Sequence, residues 1–188
     1  MIIRQVKATD AASIAKVNTD SWKTTYSGIL PQEYLDSISY EQRTSFWQAR
    51  LSDPNKQWAG WFYYVAEDEN GDIVGFAGGG PERTGNQRFS SELGAIYLLG
   101  SYQRQGIGRK LMAKIVLRLK QQGHKSMLVW VLEANHNRSF YEALGGQRVA
   151  ERHVNIGGVN LVEVAYGWHD LGLFAKTVKP NSKAPLVR

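Results

Sequence analysis

A turn with two glycines and two arginines, QRQGIGR at residues 103–109, stands directly before an amphipathic helical pattern. The backbone N–H groups at a helix N-terminus are unpaired and carry partial positive charge, so an anion binds there readily. Gly106 and Gly108 let a phosphate oxygen approach that backbone, and Arg104, Arg109 and Lys110 add full charges. These residue types predict a phosphate-binding turn, although a glycine turn that merely connects a strand to a helix has the same pattern.

Two other phosphate-binding motifs fit this segment less well. A P-loop ends in Gly-Lys-Ser or Gly-Lys-Thr, whereas Gly108 is followed here by Arg109-Lys110-Leu111. The dinucleotide-binding fingerprint needs a third glycine where Leu111 stands, in a βαβ unit that starts near the beginning of the chain. The pattern therefore favours neither a P-loop nor a Rossmann domain.

A second motif, NHNRSFYEALGG at Asn135–Gly146, lies downstream of the turn. With it, the sequence resembles the GNAT superfamily of acyl-CoA-dependent N-acetyltransferases. Gln103–Gly108 is similar to the Q/R-x-x-G-x-G/A signature of that family, and Asn135–Gly146 to its "N…FYe.lGf/g" block. Upstream, Glu92-Leu93 and Ile96–Leu98 resemble its central strand. The resemblance covers residues 60–167 in the correct order and spacing, and two separated motifs in register are more specific than either alone.

The resemblance implies acetyl-CoA as the cofactor. The backbone amides of Gln105–Arg109 would hold its pyrophosphate, and an apolar strand would pair with the pantetheine arm as though the arm were another strand. Asn135 would hydrogen-bond the arm, and Asn137, whose alternative role is a helix N-cap, is a second candidate. The residues that the resemblance assigns to cofactor binding are Tyr97, Leu98, Leu99, Gln103, Arg104, Gln105, Gly106, Ile107, Gly108, Arg109, Asn135, Asn137 and Tyr141.

The chemistry implied is acetyl transfer from sulfur to an amine. The chain contains no cysteine, which excludes a cysteine acyl-enzyme and favours direct attack in a ternary complex. Such attack needs an acceptor for the amine proton and a donor for the departing thiolate. Tyr141 stands where the family often has its tyrosine acid, and Glu92 is the candidate base, with Glu163 as the alternative. A packing role for Tyr141 and a surface role for either glutamate stay open at this point.

The predicted acceptor is a primary amine of a small molecule or a peptide. In the family that the chain resembles, the N-terminal helical segment and the last hairpin flank the acceptor, here residues 22–34 and 154–166. Trp22, Tyr26 and Tyr34 would line that site, and aromatic walls suit a substrate with an apolar or cationic part, although the rings are equally suited to a core. Two other classes stay open: a catalytically silent acyl-CoA sensor, and a nucleic-acid-binding protein that uses a basic tail.

The elements that must position these residues alternate between strand and helix patterns. With the resemblance, they imply an α/β (α+β) GNAT fold: a twisted, mostly antiparallel sheet of six to seven strands with helices on both faces. Strands are predicted at 2–6, 61–67, 73–79, 91–99, 127–132, 147–154 and 159–166, and hairpins at Asn70-Gly71 and Gly157-Gly158. Helices are predicted after Asp10, in parts of 22–51, from the glycine turn to Gln122 and at 138–144, and a turn at Asp53–Asn55.

The net charge of +6 is concentrated at the C-terminus. The last 13 residues hold four basic side chains and no acidic one, whereas the rest of the chain has 19 basic and 17 acidic side chains. Two prolines and the absence of an apolar pattern in this segment predict a mobile, solvated end rather than a nucleic-acid arm. We therefore expect a single domain over residues 1–170, a basic tail over residues 171–188 and an anionic small ligand for the mildly basic body.

The composition narrows the class of protein further. A chain of 188 residues with 43% hydrophobic side chains suits one ordered globular domain. No apolar stretch is long enough to span a bilayer and the N-terminus lacks a signal-peptide pattern, so we expect a cytoplasmic protein without a membrane partner. The four histidines lack the spacing of metal ligands, so no metal site is expected. The expected partner is the amine substrate, and a homodimer stays open.

Overall fold

The computed structural model describes residues 1–52 and 59–177, and within them seven strands form one sheet in the order β1-β2-β3-β4-β5-β7-β6. Every neighbouring pair is antiparallel except β4 and β5, which are parallel. The predicted turn at Asp53–Asn55 lies outside the described residues. The strands are β1 Ile2–Gln5, β2 Phe62–Glu67, β3 Ile73–Pro81, β4 Ser91–Leu98, β5 Met127–Leu132, β6 Gln147–Ile156 and β7 Val159–Trp168.

Helices cover both faces of this sheet, so the predicted fold class is confirmed. The connection from β4 to the parallel strand β5 runs through the longest helix of the second half, as parallel neighbours require. Within the described ranges, no helix is both long and apolar enough to cross a membrane. The helices are α1 Ala11–Thr25, α2 Gln32–Asp36, α3 Tyr40–Ser52, α4 Ile107–Gln121, α5 Ser139–Glu142 and α6 Leu171–Thr177.

Side chains alternate between the two faces of each strand, so the core has two parts, one on each face of the sheet, and helices cover both. On β2, Phe62 and Ala66 pack in the cluster that contains the apolar stripe of α4. Tyr63 and Val65 point to the opposite face, where they pack with residues of α1 and α3. Successive side chains of a strand point to opposite faces, so a sheet that is apolar on both faces must be covered twice. The amphipathic pattern that follows the glycine turn forms α4, and its apolar side chains are all buried: Leu111, Met112, Ile115, Val116 and Leu119.

The sheet opens between β4 and β5. β4 pairs with β3 along its whole length, but with β5 only at Ser91↔Met127 and Glu92↔Leu128. A register shift opposite Gly78 and Gly79 leaves Gly94 as an extra, unpaired residue on β4, two residues after the last pair with β5. A β-bulge bends its strand and increases the local twist. The bulge therefore turns β4 away from β5 and produces a wedge between the two strands.

The bulge depends on the packing of Trp61. A Cβ atom at Gly94 or at Gly80 would overlap the indole of Trp61, so both positions require glycine for close approach. The guanidinium of Arg83 lies 4.4 Å from the centre of the Trp61 ring and pairs with the carboxylate of Glu92 at 2.7 Å. An ion pair and a stacked ring thus hold the strand where it bends.

The C-terminal boundary differs from the sequence-based expectation. Residues 171–177 were assigned to a mobile tail, but they form α6, and Leu171 and Phe174 are buried in the core beside α4. Among residues 171–174, the apolar side chains of Leu171 and Phe174 enter the core, a signal too short to be recognised as a helical period. The folded part thus extends to at least residue 174, and residues 178–188 of the predicted tail lie outside the described residues.

Replacement of Leu171 by alanine should lower the free energy of unfolding by about 2–5 kcal/mol, because it leaves a cavity in the core. Leu173 on the same helix is 54% exposed, whereas Leu171 is 1% exposed, so Leu173→Ala is a matched control that should change stability by no more than about 0.5 kcal/mol. Urea unfolding of both variants measures this. Equal effects would contradict the docking of α6.

Candidate active site

A cavity of about 550 Å³ occupies the wedge between β4 and β5. Its walls come from β4, β5, the turn before α4 and the segment that contains α5, which are far apart in sequence. Most of the predicted cofactor residues meet there. Those that line the cavity are Tyr97, Leu98, Gln103, Arg104, Gly106, Gly108, Arg109, Asn135, Asn137 and Tyr141, joined by Tyr26 from α1.

The glycine turn has the strained backbone that an anion-binding loop uses. Gly106 has φ +79° and caps the N-terminus of α4, and nothing lies within 4 Å of the place where its Cβ would be. Arg104 has φ +60°, the one non-glycine residue with positive φ in the described ranges. Such a conformation costs energy and is retained where the surrounding structure demands it. Gly108 has an ordinary φ instead, and its Cβ would lie 3.3 Å from the ring of Phe140.

Three of the assigned cofactor residues do not line the cavity. Ile107 is buried in the core, Leu99 donates its backbone N–H to Val74, and Gln105 donates its side-chain amide to the carbonyl of Ser101 at 2.9 Å. Gln103 does reach the cavity, but its amide donates to the carbonyl of Leu98 at 3.1 Å. The side chains of both glutamines therefore stabilise the turn itself, as a loop that leaves a strand for a helix needs polar partners for its carbonyls.

Tyr141 lies on the cavity wall and is 8% exposed. Its hydroxyl forms no hydrogen bond with any part of the chain that the structure describes. Burial raises the pKa of Tyr141 well above its ordinary value, and the neighbouring Tyr97 acts in the same direction. The phenol is therefore protonated at neutral pH and available to donate a proton into the cavity.

The capping role belongs to Asn135 rather than to Asn137. The side-chain oxygen of Asn135 accepts the backbone N–H of Asn137 at 2.9 Å and so caps the short helical turn His136–Arg138. Asn135 is buried and Asn137 is exposed, yet both line the cavity. The alternative role foreseen for Asn137 was thus assigned to the wrong asparagine, since the sequence does not show which of two nearby asparagines precedes the turn.

Neither glutamate lies where a base was expected. Glu92 is buried and accepts two hydrogen bonds from Arg83, at 2.7 and 3.2 Å, and it does not line the wedge cavity. Glu163 accepts a hydrogen bond from Arg152 at 2.8 Å and is likewise absent from the cavity wall. Both carboxylates are held by arginines, so the structure gives Glu92 a role in positioning Arg83 that the sequence did not indicate.

The three predicted acceptor residues fall in three different places. Tyr26 is buried and lines the wedge cavity. Trp22 lies beside it, outside that cavity, and donates its indole N–H to the hydroxyl of Tyr97 at 3.0 Å. Tyr34 does not line the wedge cavity; its ring packs against Gly157 in the last hairpin. The structure thus gives Tyr34 a packing contact with that hairpin.

Sequence reasoning missed further polar groups on the wall of the wedge. Ser21 and Thr25 line the cavity from α1, and Trp130 lines it from β5. The hydroxyl of Ser21 and the indole N–H of Trp130 are buried without a hydrogen-bond partner in the part of the chain that the structure describes. The spacing of Ser21 and Thr25, four residues apart on the helix that precedes Tyr26, was the available signal for this face.

A second cavity of about 190 Å³ lies beside the first, toward α1 and α3. It shares Gly94, Ala95 and Tyr97 of β4 with the wedge cavity, so β4 forms a common wall. Its other walls are aromatic and cationic, with three arginines and three tryptophans. No sequence motif groups these side chains, because they come from α1, α3 and the segments that flank the β2–β3 hairpin.

Comparisons with known proteins agree with this geometry. The sequence profile described as "Acetyltransferase (GNAT) family" matches residues 22–145. A relative from Bacillus subtilis, named as the uncharacterized N-acetyltransferase YuaI, is 46% identical over 169 residues, which is 90% of this chain and 93% of that protein.

Solved structures show the same fold. The PaiA N-acetyltransferase from Thermoplasma acidophilum, solved in complex with coenzyme A, superposes with a TM-score of 0.68 at 21% identity, over 87% of this chain and 96% of that one. The structure of yncA, described as a putative acetyltransferase from Salmonella typhimurium with acetyl-CoA, gives 0.67 at 20% identity, over 100% and 99%. At these identities the likeness concerns the fold.

The buried phenols predict a loss of stability at high pH. Burial raises the pKa values of Tyr26, Tyr97 and Tyr141, so in the unfolded chain each ionises near pH 10 while in the folded protein each stays protonated. The unfolded state then binds fewer protons, and stability should fall above pH 10 by up to about 1.4 kcal/mol per pH unit for each phenol. Urea unfolding between pH 8 and 11 measures this, and Tyr141→Phe should make the fall shallower. An unchanged slope in that variant would contradict a raised pKa at Tyr141.

Proposed function

Because the chain belongs to the Acetyltransferase (GNAT) family, we propose that it transfers an acetyl group from acetyl-CoA to a primary amine by direct attack in a ternary complex. The N-acetyltransferase name of the Bacillus subtilis relative supports nitrogen as the acceptor atom. The coenzyme A and acetyl-CoA of the two structural neighbours support the donor. The acceptor is a small molecule or a peptide amine.

The observation that carries the proposal is the wedge between β4 and β5. β4 has no partner strand on the β5 side beyond Glu92, so its backbone groups from Gly94 to Leu98 border the cavity where an extended ligand can bind alongside it. The N-terminus of α4, with open space in front of Gly106 and with Arg104 and Arg109 nearby, lies on the wall of the same cavity. These residues fit a ligand with an amide-containing arm and a pyrophosphate.

Tyr141 is the proposed acid. The cofactor supplies an activated acetyl group, and transfer forms a C–N bond while the C–S bond breaks. The departing thiolate needs a proton. The phenol of Tyr141 is protonated, lies on the wall of the cavity and has no hydrogen-bond partner among the described residues. Since Glu92 and Glu163 are held by arginines away from this cavity, the amine loses its proton to water.

Release of the coenzyme A thiol in the presence of acetyl-CoA and a panel of amines, polyamines and peptides tests this function directly. Turnover with any primary amine supports the transferase. Tight binding of acetyl-CoA without turnover on the whole panel would favour the silent sensor. Salt-sensitive binding to DNA that persists when the glycine turn is mutated would favour a nucleic-acid-binding protein.

Gly106→Ala should weaken acetyl-CoA binding by about tenfold or more, because alanine disfavours φ +79° and its Cβ enters the space in front of the turn. Gly71 in the β2–β3 hairpin is a matched control, with φ +86° and open space around its Cβ position. Both variants should lose similar stability, but only the first should lose affinity. Calorimetric titration measures the affinities, and an equal affinity of the two variants would contradict the phosphate assignment.

Tyr141→Phe should lower the turnover number by about 10²–10⁴-fold with little change in acetyl-CoA affinity, because it removes the proton donor and keeps the ring. Tyr166, whose ring stacks on that of Tyr141 at 6.1 Å and whose hydroxyl donates to Glu142, lies outside the cavity wall. Tyr166→Phe is therefore the control and should leave the chemical step unchanged. Single-turnover kinetics are required, since slow product release can hide the step. A loss below tenfold would leave Tyr141 a packing role.

A further inference from the structure

The second cavity combines positive charge with aromatic walls. Arg43 and Arg50 reach it from α3, and Arg83 from the segment after β3. Arg50 and Arg83 both lie over the ring of Trp61, at 5.4 and 4.4 Å from its centre, and burial lowers the pKa of Arg50. Glu92 pairs with Arg83 at 2.7 Å. Charged groups are not gathered in a half-buried cavity without an energetic cost.

Arg43 is the candidate anion contact in this cavity. Its guanidinium lies 5.3 Å from the centre of the Trp22 ring, and no carboxylate in residues 1–52 or 59–177 forms an ion pair with it. A half-buried guanidinium has five N–H donors that are satisfied by an anion or by water. The aromatic contact leaves those donors available at the cavity wall.

A buried donor without a partner lines the same cavity. Trp47 is 4% exposed, and its indole N–H has no hydrogen-bond partner among residues 1–52 and 59–177. A buried unpaired donor costs about 1–3 kcal/mol, and such groups are rare in native proteins unless a ligand or water pairs with them. The indole N–H and the Arg43 guanidinium are both donors, so the group that suits them is an acceptor with negative charge.

Tyr97 connects this cavity to the proposed reaction site. It lines both cavities, and its hydroxyl accepts the indole N–H of Trp22. Burial raises the pKa of Tyr97, while the hydrogen bond from Trp22 and the charge of Arg43 act in the opposite direction, and Tyr97 in turn raises the pKa of Tyr141. A small molecule anchored near Arg43 therefore lies one side chain away from the wall that carries Tyr141.

We propose that the second cavity binds the carboxylate of the acceptor, with Arg43 as its ionic contact, so that the acceptor is a small amine carrying an acid group, of the amino-acid class. This rests on the proposed function and narrows its substrate. The volume of about 190 Å³ is below the roughly 300 Å³ at which drug-sized pockets begin, which suits a small molecule better than a folded peptide. The mildly basic body of the chain attracts such a substrate.

Matched acceptors test the proposal in the wild-type enzyme. Thiol release is measured for a panel of α-amino acids, each beside its carboxamide and its decarboxylated amine. We expect kcat/KM to be at least about tenfold higher for the acid of the best set than for its two analogues, because charged hydrogen bonds to the carboxylate are lost in both. If amides or simple amines are used as well as the acids, acetyl transfer stands and the carboxylate site is overturned.

Arg43→Gln should lower kcat/KM for the amino acid by about 10–100-fold, mainly through KM. The KM for acetyl-CoA and the kcat/KM for the two analogues without a carboxylate should stay within about twofold of the wild-type values. Arg43→Lys should recover part of the loss, since it restores the charge without the planar fork. Arg118→Gln, at an exposed arginine on α4, is the control and should change nothing. An equal loss for acids and amides in Arg43→Gln would overturn the proposal.

A binding measurement tests the carboxylate site independently of acetyl transfer. If no amine releases thiol, calorimetric titration of the same amino acids into the protein saturated with coenzyme A decides the inference separately. Binding that is present in the wild type and lost in Arg43→Gln supports the carboxylate site, and absence of binding overturns it. Thermal unfolding of each variant establishes whether it is folded. If Arg43→Gln does not fold, Arg43→Lys replaces it in the binding measurement.

Discussion

The bulge at Gly94 is the constraint on which the rest of the site depends. Two parallel strands that stayed paired would satisfy each other's backbone groups and leave no room for a ligand. Here β4 bends away after its second pair with β5, and the indole of Trp61 packs so closely on Gly94 and Gly80 that no other residue fits at either position. The opening is therefore built into the core packing.

The two helical layers keep this opening from closing. α4 and α6 pack on one face of the sheet, and α1 and α3 on the other, so each face of the bent sheet is covered by its own cluster of buried side chains. Well-packed cores resist deformation, because a shift of one layer forfeits many contacts at once. This packing holds the glycine turn, the phenol of Tyr141 and the asparagine cap in place on the wall of the cavity between β4 and β5.

Charge is arranged differently on the two sides of β4. Toward α4, the backbone of the glycine turn and two arginines form the site proposed for phosphate, while toward α3 three arginines line a smaller aromatic cavity. The Glu92–Arg83 pair lies at the bend and belongs to the second group. A strand between two proposed anion sites can bring two ligands together at its edge, which is the requirement of a transfer reaction that passes through a ternary complex.

Local patterns in the sequence were sufficient for the fold and for most of the residues on the wall of the wedge cavity. The Asn70-Gly71 hairpin, the period of α4 and the wholly apolar run of β5 follow from propensity and periodicity over neighbouring residues, and the turn at 103–109 is a contiguous motif. Contacts over long sequence separations decided the rest. That Glu92 pairs with Arg83, that Tyr34 packs on Gly157, that α6 docks in the core and that Arg43 lies by Trp22 depend on which elements meet across the sheet. A periodic pattern shows which face of an element is buried, but the partner of that face is chosen only when the whole chain packs.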